Sequence, residues 1–313
     1  MLAIVIPFYK IEFFKECLES LATQTHQGFN LYIGNDFSPD DPSELISEFR
    51  ERLTLTYKVF EKNLGSISLT QHWDRCIKMT REEEWVMILG DDDVLEQYVV
   101  EEFYKNYSDI NVKVNVIRFA TLIIDENTQK TSKVFTHPQW EMPGDSAFRR
   151  ICAHTRSSLS EHIFKKEVYK KHGFYNFPLA WHSDDRAWLE FTEGKHIFTI
   201  NEAIVYIRNS ALNISGKTDN EEEKYTASLA YYRYLLQKQL HQFTKPQKLE
   251  VARKHILLVQ KSRPVNFAEW IRVSKIYILN ADQKAYLHIL RLLYYRLKVV
   301  LERKHIKDYK KNH

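Results

Sequence analysis

Along the N-terminal third of the chain, short apolar runs alternate with longer stretches whose apolar residues recur every three or four positions. LAIVIPF (2–8), FNLYIG (29–34), LTYKVF (55–60) and WVMIL (85–89) read as strands. Between them the spacing predicts helices near 11–24, 42–51 and 66–80. Strand and helix in alternation predict a mostly parallel central sheet with helices on its faces, an α/β fold. Ligands of such sheets bind at the carboxyl ends of the strands. Pro7 to Tyr9, Asn35–Asp36 and Asp91 to Asp93 all fall at those ends.

Further along, VKVNVIRFATLIID (112–125) and KTSKVFTH (130–137) are strand-like and hairpin-like, followed by a helix at 145–153 and a strand near 159–164. A helix covers roughly 184–193, and a final pair of strands lies near 196–207. After Ser210 the pattern is helical almost to the end, and SGKTDNEEEK (215–224) is the stretch that reads as a linker. The expected organisation is two halves of one domain, 1–110 and 111–214, with a helical C-terminal extension over 215–313.

Composition narrows the class. The 313 residues are 44% hydrophobic and 27% charged, with 8 Gly and 8 Pro, which suits a globular protein and not a low-complexity chain. The three cysteines, Cys17, Cys76 and Cys152, have no metal-finger spacing, so no disulfide framework or structural zinc site is expected, and a reducing cytosol fits best. No export signal, no transmembrane helix and no nucleic-acid partner are expected.

The net charge is only +4. Basic residues gather in the tail, where Arg291, Arg296, Lys298, Arg303, Lys304, Lys307, Lys310 and Lys311 face only Glu302 and Asp308. There Leu287, Leu290, Tyr294, Leu297 and Leu301 form one helical stripe beside His288, Arg291 and Lys298. A basic amphipathic helix of this kind suits an anionic membrane surface, packing on the protein, or pairing with another copy in a homo-oligomer.

The chemistry concentrates in WVMILGDDDVLE (85–96). Three adjacent carboxylates raise one another's pKa unless solvent or a cation relieves them. The glycines fit neither the dinucleotide G-x-G-x-x-G loop nor the P-loop. Phosphate held here would therefore be bridged to carboxylates by a hard cation, Mg²⁺ or Mn²⁺. A calcium EF-hand is excluded, because the sixth position from Asp91 is Glu96.

IVIPFYK at the start, LESLATQT (18–25), IGNDFSPDD (33–41), KNLGS (62–66) and ILGDDDVLE (88–96), in that order, resemble the nucleotide-sugar half of the family 2 inverting glycosyltransferases of GT-A fold. HSDDRAWLEF (182–191) resembles that family's later acidic motif, and INEAIVYIR (200–208) its following strand. The resemblance implies a metal-binding role for Asp92, with Asp91 near the ribose or metal and Asp93 supporting. Gly90 stands where the family's first motif aspartate is usual. It further implies nucleotide contacts from Pro7, Phe8, Tyr9, Asp36, Asn63 and Gly65. Asp184 is implied as the general base, with Asp185 in reserve because a one-residue shift of the alignment exchanges them. Trp140, Trp181 and His182 fall in the acceptor-binding half, with Glu141, Arg149 and Arg150 beside them, and Arg208 and Lys217 are options for the diphosphate.

The implied reaction moves a sugar from a nucleoside diphosphate, a UDP-sugar first, to a glycan or lipid-linked acceptor in cell-surface polysaccharide synthesis. It would take place in the cytoplasm, on the inner face of the membrane if the tail binds there. A sugar nucleotidyltransferase is the rival enzyme, but PFYKIEFF lacks the glycine-rich loop that class uses after its first strand. A non-catalytic membrane-associated scaffold is the rival of another kind, and it would have no need of the acid clusters.

Overall fold

The computed structural model describes residues 1–280 apart from 215, 218 and 262–265, together with 287, 291, 294 and 298. Except for those last four positions, the amphipathic tail expected over 287–304 lies outside the described residues.

In chain order the strands are β1 (Leu2–Phe8), β2 (Phe29–Asn35), β3 (Leu55–Val59), β4 (Trp85–Ile88), β5 (Val94–Leu95), β6 (Val116–Asp125), β7 (Lys130–Thr131), β8 (Trp140–Glu141), β9 (His162–Lys165) and β10 (Ile197–Asn209). The helices are α1 (Phe14–Ala22), α2 (Ser43–Phe49), α3 (Leu69–Ile77), α4 (Val99–Ile110), α5 (Pro143–Ile151), α6 (Lys166–His172), α7 (Ser183–Phe191), α8 (Glu221–Tyr234), α9 (Lys245–Gln260) and α10 (Phe267–Asn280). The chain divides into two compact units, Met1–Ser228 and Leu229–His313. One sheet crosses the first unit in the order β3-β2-β1-β4-β9-β6-β10-β5, so no break in the sheet falls at residue 110. Strands β1 to β4 are mutually parallel, β9 is antiparallel to both β4 and β6, and β10 runs parallel to β6.

Successive side chains of a strand face opposite ways, and the core follows that period. Leu2, Ile4, Ile6 and Phe8 of β1 pack with Trp85 and Met87 of β4 against α1, α2 and α4. Ala3, Val5, Val86 and Ile88 point the other way, onto α3, α6 and α7. Both faces are covered, which is why these strands read as continuous apolar runs.

Three elements depart from the sequence pattern. The expected strand pair near 196–207 is the single strand β10. A register shift between Ile200 and Ile204 sets NEA out of the ladder, and this bulge imitates a turn in the sequence. Helices α4 and α6 lie outside the expected elements, and α6 is short, burying only Val168 and Tyr169. In the second unit, α9 opens where Gln247 accepts a hydrogen bond from the Thr244 N–H (2.8 Å), and Arg233 pairs with the buried Glu269 (2.7 Å).

Candidate active site

A cavity of about 660 Å³ lies at the carboxyl edge of the sheet. Its floor includes Pro7 near the end of β1, Ile88 at the end of β4 with Gly90 to Asp93 after it, and Ile207 to Asn209 at the end of β10. One wall is the segment Thr155 to Ser160, another is Leu179 to His182 with Asp184 and Asp185 of α7, and Arg150 of α5 and Asn213 also face in. Two acid groups ninety positions apart in the sequence thus share one space.

The aspartate trio is divided in its work. One oxygen of Asp91 accepts hydrogen bonds from the backbone N–H groups of Tyr9 and Lys10, at 2.7 and 2.8 Å, tying the end of β4 to the end of β1. Both oxygens of Asp93 are taken, one by the Ser160 hydroxyl (2.5 Å) and one by the Arg208 N–H (2.9 Å). Ser160 in turn accepts from the Gly90 N–H at 3.0 Å. Asp92 keeps its carboxylate toward the cavity, near the Lys10 ammonium and the Asn213 side chain. Burial, then the charge of Asp92, pushes Asp91 up to about 6 and also raises Asp93, and burial raises Asp92. Such a set gains from an added cation. A Cβ at position 90 would meet carboxylate oxygens of Asp93 at 2.9 Å and Asp92 at 3.0 Å. A side chain there would therefore displace the acids.

Asp36 ends β2 with a carboxylate that is 4% exposed. It accepts from the N–H groups of Leu64 (2.7 Å) and Gly65 (2.8 Å) and pairs with Arg75. A Cβ on Gly65 would come within 2.5 Å of it, so glycine is required where this loop meets the acid. Asn63 closes the same turn by accepting from the Ser66 N–H at 2.8 Å. Asp36, Asn63 and Gly65 are one assembly, and Asp36 shapes the loop beside β1. Phe8 is buried in the core, whereas Tyr9 is 37% exposed at the edge.

The pair on α7 is equally uneven. Asp185 is 9% exposed, with His182 Nδ1 at 2.7 Å from one oxygen and Arg150 Nε at 3.8 Å from the other. Burial works to raise its pKa, but Arg150 and His182 outweigh it and hold Asp185 below the ordinary aspartate range. Among the described residues, no side-chain donor reaches the Asp184 carboxylate, which meets the Asp185 N–H. Burial and the Asp185 charge drive Asp184 well above the usual range.

Trp181 and His182 line the cavity, with the Lys224 ammonium 5.3 Å from the Trp181 ring centre. Trp140 does not. It sits on β8, paired to Phe198 at the far end of β10, and packs on that ring. Beside it Glu141 binds the fully buried Arg118 (2.8 Å) and Arg149 (2.7 Å), a structural network away from the cavity. Glu141→Ala would leave Arg118 buried without its counter-charge, and a stability loss of about 3–5 kcal/mol is expected from denaturant titration. A loss below about 1 kcal/mol would contradict that role.

The diphosphate options also change. The Arg208 guanidinium is taken by Glu16, Glu126 and the Asp92 carbonyl, and exposed Lys217 is not in the cavity lining. Lys10 is the cation beside Asp92. It stood in the quoted IVIPFYK run, but a lone lysine after a strand carries no signal of its own. Ser160 and Asn213 are met only through folding.

Residues 3–172, more than half of the chain, match the Glycosyl transferase family 2 sequence family. The chain belongs to this family. Over 223 residues, 67% of its length, this family 2 chain is 21% identical to glycosyltransferase GlyA of Streptococcus pneumoniae serotype 4 and covers 30% of that protein. Over 114 residues, 35% of the chain, it is 29% identical to the uncharacterized glycosyltransferase EpsJ of Bacillus subtilis and covers 32% of it. It thus spans about a third of these curated relatives.

Among solved structures, S. aureus TarS 1–349 in complex with UDP-GlcNAc aligns at a TM-score of 0.61 and 15% identity, over 91% of this chain and 82% of that one. The mannosyltransferase PcManGT from Pyrobaculum calidifontis, in complex with GDP-Man and Mn²⁺, aligns at 0.53 and 12% identity, over 94% and 84%. At these identities the likeness is one of fold, and the GT-A class expected from the motifs holds.

Proposed function

We propose that this family 2 chain is an inverting glycosyltransferase that moves a sugar from a nucleoside diphosphate, UDP in the first instance, to a hydroxyl of a glycan or lipid-linked acceptor. The observation that carries this reading is the single cavity shared by Asp92 and Asp184. One acid stands where a diphosphate would be held, and the other is a partly freed carboxylate with raised proton affinity. Asp184 accepts the proton of the acceptor hydroxyl as its oxygen bonds to the anomeric carbon. The bond from that carbon to the diphosphate breaks with its electron pair on the phosphate oxygen, and a single displacement inverts the centre. Lys10 adds positive charge on the diphosphate side, Tyr9 offers an aromatic face to the base, and Trp181 offers one to the acceptor.

Among the described residues, no group of three or more His, Cys, Asp or Glu side chains could hold a metal alone. The donors present suit Mg²⁺ or Mn²⁺, which Asp92 would hold together with the diphosphate. Asp91, tied to the end of β1, and Asp93, tied to Ser160 and Arg208, would support the loop that carries Asp92. Such an ion would stabilise the charge developing on the departing diphosphate.

TarS bound to UDP-GlcNAc or UDP, and PcManGT bound to GDP-Man and Mn²⁺, favour nucleotide-sugar chemistry on this fold. Cell-surface polysaccharide synthesis is the context we assign. For the basic tail, packing on the protein stands ahead of docking on an anionic membrane surface or pairing with another copy; no helix among the described residues is long and apolar enough to cross a membrane.

Thermal-shift screening of nucleoside diphosphates with and without Mn²⁺ tests the reading. A ligand at 100 times its Kd stabilises by about 2.7 kcal/mol, and UDP with Mn²⁺ is expected to raise Tm by several degrees, more than either alone. If no nucleoside diphosphate shifts Tm with or without Mn²⁺, the proposal fails.

A further inference from the structure

His182 is the residue before α7, and its backbone is left-handed, at φ 70° and ψ 8°. That region is costly for a residue with a Cβ and persists only where the surroundings over-determine it. Here both ring nitrogens are engaged, Nδ1 at 2.7 Å from Asp185 Oδ2 and Nε2 at 3.0 Å from the hydroxyl of Ser228 on α8. An ionised carboxylate can only accept, so Nδ1 carries a proton, and a neutral ring then takes the Ser228 hydroxyl hydrogen on Nε2. Asp185 thereby sets the tautomer, and Ser228 engages the other nitrogen and fixes the direction of the ring.

We propose that His182, oriented by Ser228, is a positioning residue for the base: it fixes Asp185 as the ionised member of the α7 pair and leaves Asp184 as the proton acceptor turned to the cavity. This rests on the function proposed above, in which Asp184 takes the acceptor proton. It goes further, because the division of labour between two adjacent aspartates is assigned to a histidine and a distant serine. Two carboxylates in one buried place titrate as a pair, and the one given donors keeps the charge. The groups facing the pair are Arg150 from α5, Glu161 and His162 at the start of β9, and His182 itself. Burial holds His162 down to about 4, so near neutrality His182 is the histidine that donates to Asp185.

The test compares wild type with His182→Asn, Ser228→Ala and Ser228→Thr in the full chain. Asparagine tolerates the left-handed backbone but cannot span both partners. In His182→Asn, Asp185 shares the proton and Asp184 becomes a weaker base. The acid limb of the transfer rate is expected to move at least half a unit to lower pH, with a lower plateau. Ser228→Ala should move it the same way by less, and Ser228→Thr, which keeps the hydroxyl, should restore it. NMR titration of ¹³C-carboxyl aspartate reads the same split without any turnover. The gap between the two α7 carboxyls should narrow in His182→Asn. A protein with no transferase activity would sink the function proposed above, while the carboxyl titration would still decide this inference. An unchanged gap in both His182→Asn and Ser228→Ala overturns it, as does a rate that falls equally at every pH with its limb unmoved.

Discussion

Asp184→Asn is expected to lower sugar transfer by about 10²–10⁴-fold while leaving nucleotide affinity at the wild-type value. Asparagine has the shape of the carboxylate but cannot take the acceptor proton, and the parts assigned to the donor, Asp92, Lys10 and the β1 edge, lie elsewhere in the cavity. The same substitution should stabilise the protein at neutral pH. Burial and Asp185 push the Asp184 pKa up in the folded state, so the folded chain binds its proton more tightly than the unfolded chain does. For a carboxylate raised in this way, the stabilising contribution is complete below the unfolded pKa of about 4 and is lost as pH rises through the folded value. Removing the group removes that loss. The Tm of Asp184→Asn is therefore expected to exceed wild type by an amount that grows from pH 5 toward pH 8. Asp185→Asn should do the opposite, because Arg150 and His182 would lose the charge they are arranged around. Initial rates with a UDP-sugar, together with Tm across that pH range, decide the matter. A transfer rate for Asp184→Asn within threefold of wild type would remove it as the base.

What the amino-acid order made legible was the sheet edge and what stands on it. Runs such as LAIVIPF and WVMI are apolar at every position because both faces of β1 and β4 are covered, and their ends carry Pro7 to Tyr9 and the aspartate trio. Position along a strand is a local property, and so it survives in the sequence. What each acid does there is not local. Asp91, Asp92 and Asp93 are identical in type and adjacent in order. They differ only because the β1 amides, Ser160 and the Arg208 amide arrive from segments 67 to 115 residues away. Asp36, which the family resemblance makes a nucleotide contact, likewise shows its loop partners Leu64, Gly65 and Arg75 only once they are folded onto it. Trp140 was suggestive by type alone and packs on Phe198, outside the cavity lining, whereas Arg208 reaches the cavity floor with its guanidinium already paired to Glu16 and Glu126.

Asp92→Asn should abolish the metal-dependent part of nucleotide binding, and with it turnover by about 10²–10³-fold, the scale seen when one preorganised electrostatic partner of a developing oxyanion is lost. The control is built into the trio. In Asp93→Asn an amide replaces an acid whose two oxygens already serve Ser160 and the Arg208 N–H. Its first effect is therefore a lower Tm with or without ligand. The metal prediction also has a pH signature. Asp91 is pushed up to about 6 by burial and by Asp92, so below that pH a proton relieves the cluster, and above it a cation must. Metal and proton compete for the same charge. The Tm gain from UDP with Mn²⁺ is thus expected to be small at pH 5, to grow through pH 6 and to be largest near pH 7.5. In Asp92→Asn it should be nearly flat with pH and equal to the gain from UDP alone. A wild-type gain independent of pH, or one that Asp92→Asn retains in full, would mean that the diphosphate is held by Lys10 and backbone donors without a metal at the end of β4.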